Sequence, residues 1–169
     1  MKLAGSILIL FAAVWTTADI LYARRVKLHS LRQLSELLMQ ICGELEARAL
    51  PIPELLEVLP GRTSGAGKDF VNRLRDSMSR LGTIGFSELW DEAFLQVFPA
   101  AAEEVQRVMH RAGLALGRYE LKRQCEVLDR CAKDLEIFCE RDEKELSRSR
   151  QLLWGLSLVS AALLILLLN

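Results

Sequence analysis

The chain has 169 residues, with 22 basic and 22 acidic side chains and a formal net charge of zero. That balance gives no electrostatic footprint for nucleic acid, and the length fits one domain plus flanking segments. The four cysteines, Cys42, Cys125, Cys131 and Cys139, form no Cys-x-x-Cys pair, and no nearby histidine completes a zinc spacing. Their spacings scatter the last three around one helix axis, so free thiols on or near core faces are expected rather than a disulfide framework.

Residues 3–21 read LAGSILILFAAVWTTADIL, an apolar run diluted toward its end by Thr16, Thr17 and Asp19. A hydrocarbon core about 30 Å thick needs about 20 helical residues, so this run predicts a membrane span, with Tyr22 as an aromatic anchor and Asp19 at headgroup level. A cleaved signal peptide, with Lys2 ahead of the apolar run, is the rival reading. Arg24, Arg25 and Lys27 follow directly; positive charge there resists translocation and favours a retained anchor.

Leu28, Leu31, Leu34, Leu38, Ile41 and Leu45 then recur at steps of three and four, one apolar stripe of a helix. No proline or glycine falls between Trp15 and Cys42, so the first membrane helix is expected to run on until Pro51 and Pro53 stop it. A short helix over 54–59 follows. Residues 61–67, GRTSGAG, read as a loop. They superficially resemble a phosphate-binding loop but lack the required Gly-Lys-Ser/Thr and a preceding strand. A third helix is predicted over 68–81, with Phe70, Leu74, Met78 and Leu81 on one face. Ser87 is the expected cap of a fourth helix carrying Leu89, Trp90 and Phe94. Pro99 is the expected opening of a fifth, with Val105, Val108, Met109, Ala112 and Leu116 inward.

A sixth helix begins near Tyr119 and has Leu121, Cys125, Leu128, Leu135 and Phe138 at helical spacing. Neither glycine nor proline occurs from Arg118 to Trp154, so it continues toward the second apolar run, 152–168, LLWGLSLVSAALLILLL. Arg141, Lys144, Arg148 and Arg150 precede that run. Both runs thus carry basic flanks toward the middle, which predicts a double-pass protein whose central domain is cytoplasmic. The expected organisation is an N-terminal transmembrane helix over 1–25, a helical bundle over 26–150 and a C-terminal transmembrane helix over 151–169. The fold class is all-α: a six-helix bundle whose long first and last helices continue into the spans. Trp90, Phe70, Phe94 and Phe138 are the expected bulky core residues.

Residues in a catalytic or metal-binding pattern are sparse. His29 and His110 are the only imidazoles and sit among charged neighbours. The pairs Glu103-Glu104 and Asp142-Glu143 read as solvated helix faces, and Gly-x-Ser-x-Gly is absent. No catalytic, cofactor-binding or metal-binding residues are assigned, and no small-molecule substrate is expected.

Several segments together carry a family resemblance: Lys2-Leu3-Ala4-Gly5; Glu44-Leu45-Glu46 followed by Leu50-Pro51-Ile52-Pro53-Glu54-Leu55-Leu56; Ser87-Glu88-Leu89-Trp90; Leu116-Gly117-Arg118-Tyr119-Glu120 with Gln124; and Leu153-Trp154-Gly155. Their order between two apolar runs resembles the stage III sporulation protein AB family over nearly the full length. Leu50, Glu120 and Trp154 depart from the family's Thr, Asp and Leu. The resemblance implies a component of the channel linking mother cell and forespore, in the mother-cell membrane around the forespore. It also implies a fold similar to the cytoplasmic domain of type II secretion system F proteins. The implied partners are the companion ATPase, stage III sporulation protein AA, and other membrane proteins of the channel. The expected role is a non-enzymatic platform coupling that ATPase to the membrane complex. The partner-contact candidates are exposed charges near inter-helix turns: Arg48, Glu54, Arg62, Lys68, Glu88, Asp91 and Glu120. The alternatives are an adaptor that self-associates as a homo-oligomer without an ATPase, and a regulator whose active site a partner completes.

Overall fold

In the computed structural model, backbone is described for residues 2–118 and 120–168, and side chains for Tyr22, 26–117 and 120–148. Six α-helices occur among these residues: α1 (Lys2–Arg48), α2 (Ile52–Val58), α3 (Gly65–Ser77), α4 (Phe86–Val97), α5 (Glu103–Arg118) and α6 (Leu121–Leu168). Short 3₁₀ turns, Leu59–Gly61 and Met78–Arg80, extend α2 and α3. No strand occurs among the described residues, as the all-α reading expects.

The chain divides into two compact units. One joins the two ends, Met1–Leu28 with Cys139–Asn169; the other is His29–Phe138. In the first, Lys27 Nζ lies 3.2 Å from Asp142 Oδ2, and the Cys139 thiol donates to the Leu28 carbonyl at 3.7 Å. Among the described residues no helix is long and apolar enough to cross a membrane. The side chains of both expected spans, 1–25 and 151–169, lie outside the described residues apart from exposed Tyr22.

Within the second unit the predicted stripe of α1 is buried: Leu31, Leu34, Leu38, Ile41 and Leu45, joined by Leu37. At about 25 cal/mol per Å² of apolar surface, each fully buried leucine contributes roughly 1.5–3 kcal/mol. The facing stripe of α6 supplies Leu128, Ala132 and Leu135. Ser35 Oγ donates to the Ala132 carbonyl at 3.2 Å, and the Cys125 thiol to the Cys42 carbonyl at 3.7 Å. These two contacts lie seven residues apart on both helices and fix an antiparallel register.

Aromatic packing joins α3 to α4. Phe70 meets Trp90 edge-on with centroids 4.8 Å apart, and Phe94 at 6.3 Å. Trp90 then reaches α5, where its indole N–H donates to the Met109 carbonyl at 2.8 Å. The predicted inner face of α5 (Val105, Val108, Met109, Ala112 and Leu116) is buried throughout.

Several expected boundaries and core positions are corrected. Helix α3 starts at Gly65, not 68, so the last three residues of the predicted loop, 65–67, form its first turn. The cause is remote: Gln33 of α1 accepts the Ala66 N–H at 3.0 Å through Oε1, satisfying a helix-terminal donor that no local side chain caps. Gly65 holds φ +56°, and a Cβ there would collide with the Gln33 amide. Gly85, not Ser87, is the N-cap of α4. Pro99 sits in the turn before α5 rather than opening it. Helix α2 begins two residues before the expected 54, with Pro53 in its first turn. Leu81 and Leu121 are exposed, at 45% and 39%, because each lies at the end of its helix. Phe138 is only half-buried.

Candidate functional site

Helix α5 inserts between α4 and α6 and leaves an open groove of about 800 Å³ along one side. Phe94 and Leu95 of α4, Val108 of α5 and Phe138 of α6 give it apolar walls. Leu95 is 46% exposed, a large apolar side chain left at the surface. The polar lining comes from Asp91, Glu104, Gln106, Arg107, His110, Arg111 and Asp134.

The rim charges are held in place by cross-helix pairs. His110 Nδ1 lies 2.5 Å from Asp91 Oδ2, linking α5 to α4. The Arg111 guanidinium donates to Asp134 Oδ2 at 2.5 Å, linking α5 to α6. Arg107 meets Glu103 one turn earlier at 3.5 Å. These residues are partly exposed, so water screens the pairs and each contributes at most about 1 kcal/mol. Their main effect is to order an apolar trough with a mixed-charge edge. Such a surface suits an amphipathic helix or a protein loop.

The seven predicted contact residues do not form one site. Asp91 alone lines the groove. Arg62 and Arg48 both turn to the nearly buried Glu44: the Arg62 guanidinium donates to Oε1, and Arg48 Nε lies 3.7 Å from Oε2. Arg62 ties the end of α1 to the turn after α2, a structural task, while Arg48 pairs with Glu44 within α1 itself. Glu54, Lys68, Glu88 and Glu120 are exposed on α2, α3, α4 and just before α6.

Most of the groove went unrecognised in the sequence. The available signal was Leu95 beside Phe94, since an apolar stripe of α4 that already contains Leu89, Trp90, Ala93 and Phe94 has no inward place left for Leu95. His110 is half-exposed and engaged by Asp91.

A second cluster lies between α1 and α6. Cys42 Sγ, a Glu46 carboxylate oxygen and Cys125 Sγ all lie within 4.8 Å of one another. Cys42 and Glu46 share one face of α1 at a spacing of four, and Cys125 meets them from α6. Burial pushes the Cys42 thiol from 9.0 up to about 12, helped by its hydrogen bond to Cys125 and by the charges of Cys125, Glu46 and Asp129. Burial also raises the Cys131 thiol. All four cysteines are free thiols, with Cys125, Cys131 and Cys139 buried. The expected scatter around α6 is corrected for two of them: Cys125 and Cys139 are fourteen residues apart, close to a whole number of turns, and contact α1 at Cys42 and Leu28.

Residues 2–169 match the family model described as stage III sporulation protein AB. The chain belongs to that family. It is also similar to a solved structure of "Stage III sporulation protein AB", at 15% sequence identity and a TM-score of 0.60. That likeness covers 70% of this chain and 94% of the other, and at this identity it establishes a shared fold. No curated protein matches the chain. The match to the family model runs through the bundle and through both apolar ends.

Proposed function

We propose that this protein is a non-enzymatic platform in the channel between mother cell and forespore, anchored in the mother-cell membrane by its two apolar ends. Its bundle faces the mother-cell cytoplasm and receives the secretion-type ATPase of the channel, stage III sporulation protein AA. The observation that carries this reading is the family match along residues 2–169, which takes in the bundle and both apolar ends. Two features support it. The uncharged run 152–168 and the basic residues before it suit a span with its cytoplasmic flank toward the bundle. The groove between α4, α5 and α6 supplies an ordered, partly apolar surface of the kind a protein partner occupies.

In this reading the helices transmit rather than catalyse. A partner seated on α5 would act on α6, whose backbone helix runs on to Leu168. Force or orientation would therefore reach the membrane through continuous helix rather than through a flexible linker.

The test is capture of the companion ATPase by the full-length chain in detergent, with and without nucleotide. Capture that is lost on Leu95→Arg supports the platform and places its surface in the groove. Failure to capture in every nucleotide state sinks the ATPase-coupling role. Retained capture in Leu95→Arg, with loss on reversing Glu54, Lys68, Glu88 and Glu120 together, moves the contact surface to the inter-helix turns.

A further inference from the structure

We infer that Cys42, Glu46 and Cys125 form a binding site for a single thiophilic divalent ion of the zinc class, clamping α1 to α6. The inference stands on geometry and is independent of the platform role. The three candidate donor atoms already lie within 4.8 Å of one another. In a tetrahedral zinc site, with Zn–S about 2.3 Å and Zn–O about 2.0–2.2 Å, donors lie roughly 3.5 Å apart. Closing that gap asks for about 1 Å of inward movement per side chain, within the reach of χ1 rotations in Cys and of the longer Glu stem.

The donor set selects the ion. Two sulfurs and one carboxylate suit zinc and its softer neighbours; magnesium and calcium take oxygen-only shells. Three protein ligands leave a fourth position for water or for a group from a partner. The burial pattern agrees: Cys125 is buried, Cys42 is half-buried and Glu46 is exposed, so the cluster opens outward at the carboxylate. Binding would release both thiol protons to solvent, the metal taking the place of two protons with no change in oxidation state. The two sulfurs come from positions 83 residues apart, so the ion would close a long loop across the bundle.

The probe is Co(II), added alone to the reduced, chelator-treated full-length chain in detergent. The expected result is one Co(II) per chain, with tetrahedral d–d bands and a thiolate-to-cobalt charge-transfer band. Zn(II) should displace the colour and raise the melting temperature. Cys42→Ser and Cys125→Ser should each remove the charge-transfer intensity expected of a two-sulfur site, and Glu46→Gln, at an exposed position, should weaken binding without affecting folding. Cys131→Ser should behave as the parent. Absence of a charge-transfer band from the reduced parent overturns the site, as does a full band in either Cys42→Ser or Cys125→Ser. Unchanged affinity in Glu46→Gln overturns the three-ligand assignment.

Discussion

Trp90 packs against Gly113 so closely that a Cβ on the glycine would lie 2.6 Å from Trp90 Cδ1 and 2.7 Å from Cγ. Those atoms belong to the fixed root of a large ring, buried among Phe70 and Phe86 and tethered to the Met109 carbonyl. The ring has nowhere to yield without pulling α4 away from α5.

Gly113→Ala should therefore destabilise the bundle although alanine is the better helix former. Overpacking costs about 1–3 kcal/mol, and the propensity gain returns at most about 1 kcal/mol. Denaturant unfolding of the full-length chain should show a net loss of about 1–2 kcal/mol. A neutral or stabilising result would mean that α4 and α5 can separate freely at this point.

Arg62→Ala should cost more than Arg48→Ala. Glu44 has only 7% of its side chain exposed, and removing its hydrogen-bonded guanidinium strands a buried carboxylate at about 1–3 kcal/mol. Both arginines are about half exposed, but Arg48 stands 3.7 Å from the carboxylate, beyond hydrogen-bonding distance, which limits it to about 0–1 kcal/mol. Adding Glu44→Leu to Arg62→Ala should recover much of the loss. Equal effects from the two arginines would show that the carboxylate is served by water instead.

Ala49→Gly should stabilise the protein. Ala49 ends α1 with φ 48°, a left-handed conformation that costs a side chain about 1–2 kcal/mol. Glycine is the usual occupant of such a helix end. Its greater freedom in the unfolded chain takes back part of the gain, leaving about 0.5–1 kcal/mol. A fall in melting temperature would refute this account of how α1 stops.

Alkaline solution should weaken the metal-free protein through Cys42. Its folded pKa, about 12, lies above the ordinary 9.0, so above pH 9 the unfolded chain loses this proton first. The unfolded state then binds fewer protons, and stability falls as pH rises from about 9 to 12. The decline in melting temperature over that window should be shallower in Cys42→Ser. An identical decline in both proteins would assign it to other groups, Cys131 among them.

How far sequence alone leads differs by element. The α1 stripe is plain because leucine periodicity is a local signal: every residue of it is buried, although Leu37, Ser35 and Glu44 are buried beside it without belonging to that pattern. The α3 start was hidden because its stabilising acceptor, Gln33, lies 33 residues away. Ser87 looked like a cap, yet Gly85 sits at the helix boundary, and residue type alone does not decide which of two neighbouring positions a chain turn selects. Charge and nearness to turns mark the contact candidates in the sequence. That criterion cannot tell Arg62, spent on a buried carboxylate, from Glu88, left in solvent. The thiol cluster was out of reach, since only the antiparallel register of α1 and α6 brings Cys42 and Cys125 together.

That register has a mechanical corollary. Ser35 with Ala132 and Cys42 with Cys125 are layers of small side chains, each reaching the opposite backbone, while leucines fill the levels between. Sliding one helix along the other by half a repeat would drive leucine into the narrow layers. The next register that matches small with small lies a full seven residues on, about 10 Å of travel. A push smaller than that cannot be absorbed as slippage, so the two helices advance or tilt together, like a ratchet whose tooth is larger than the stroke.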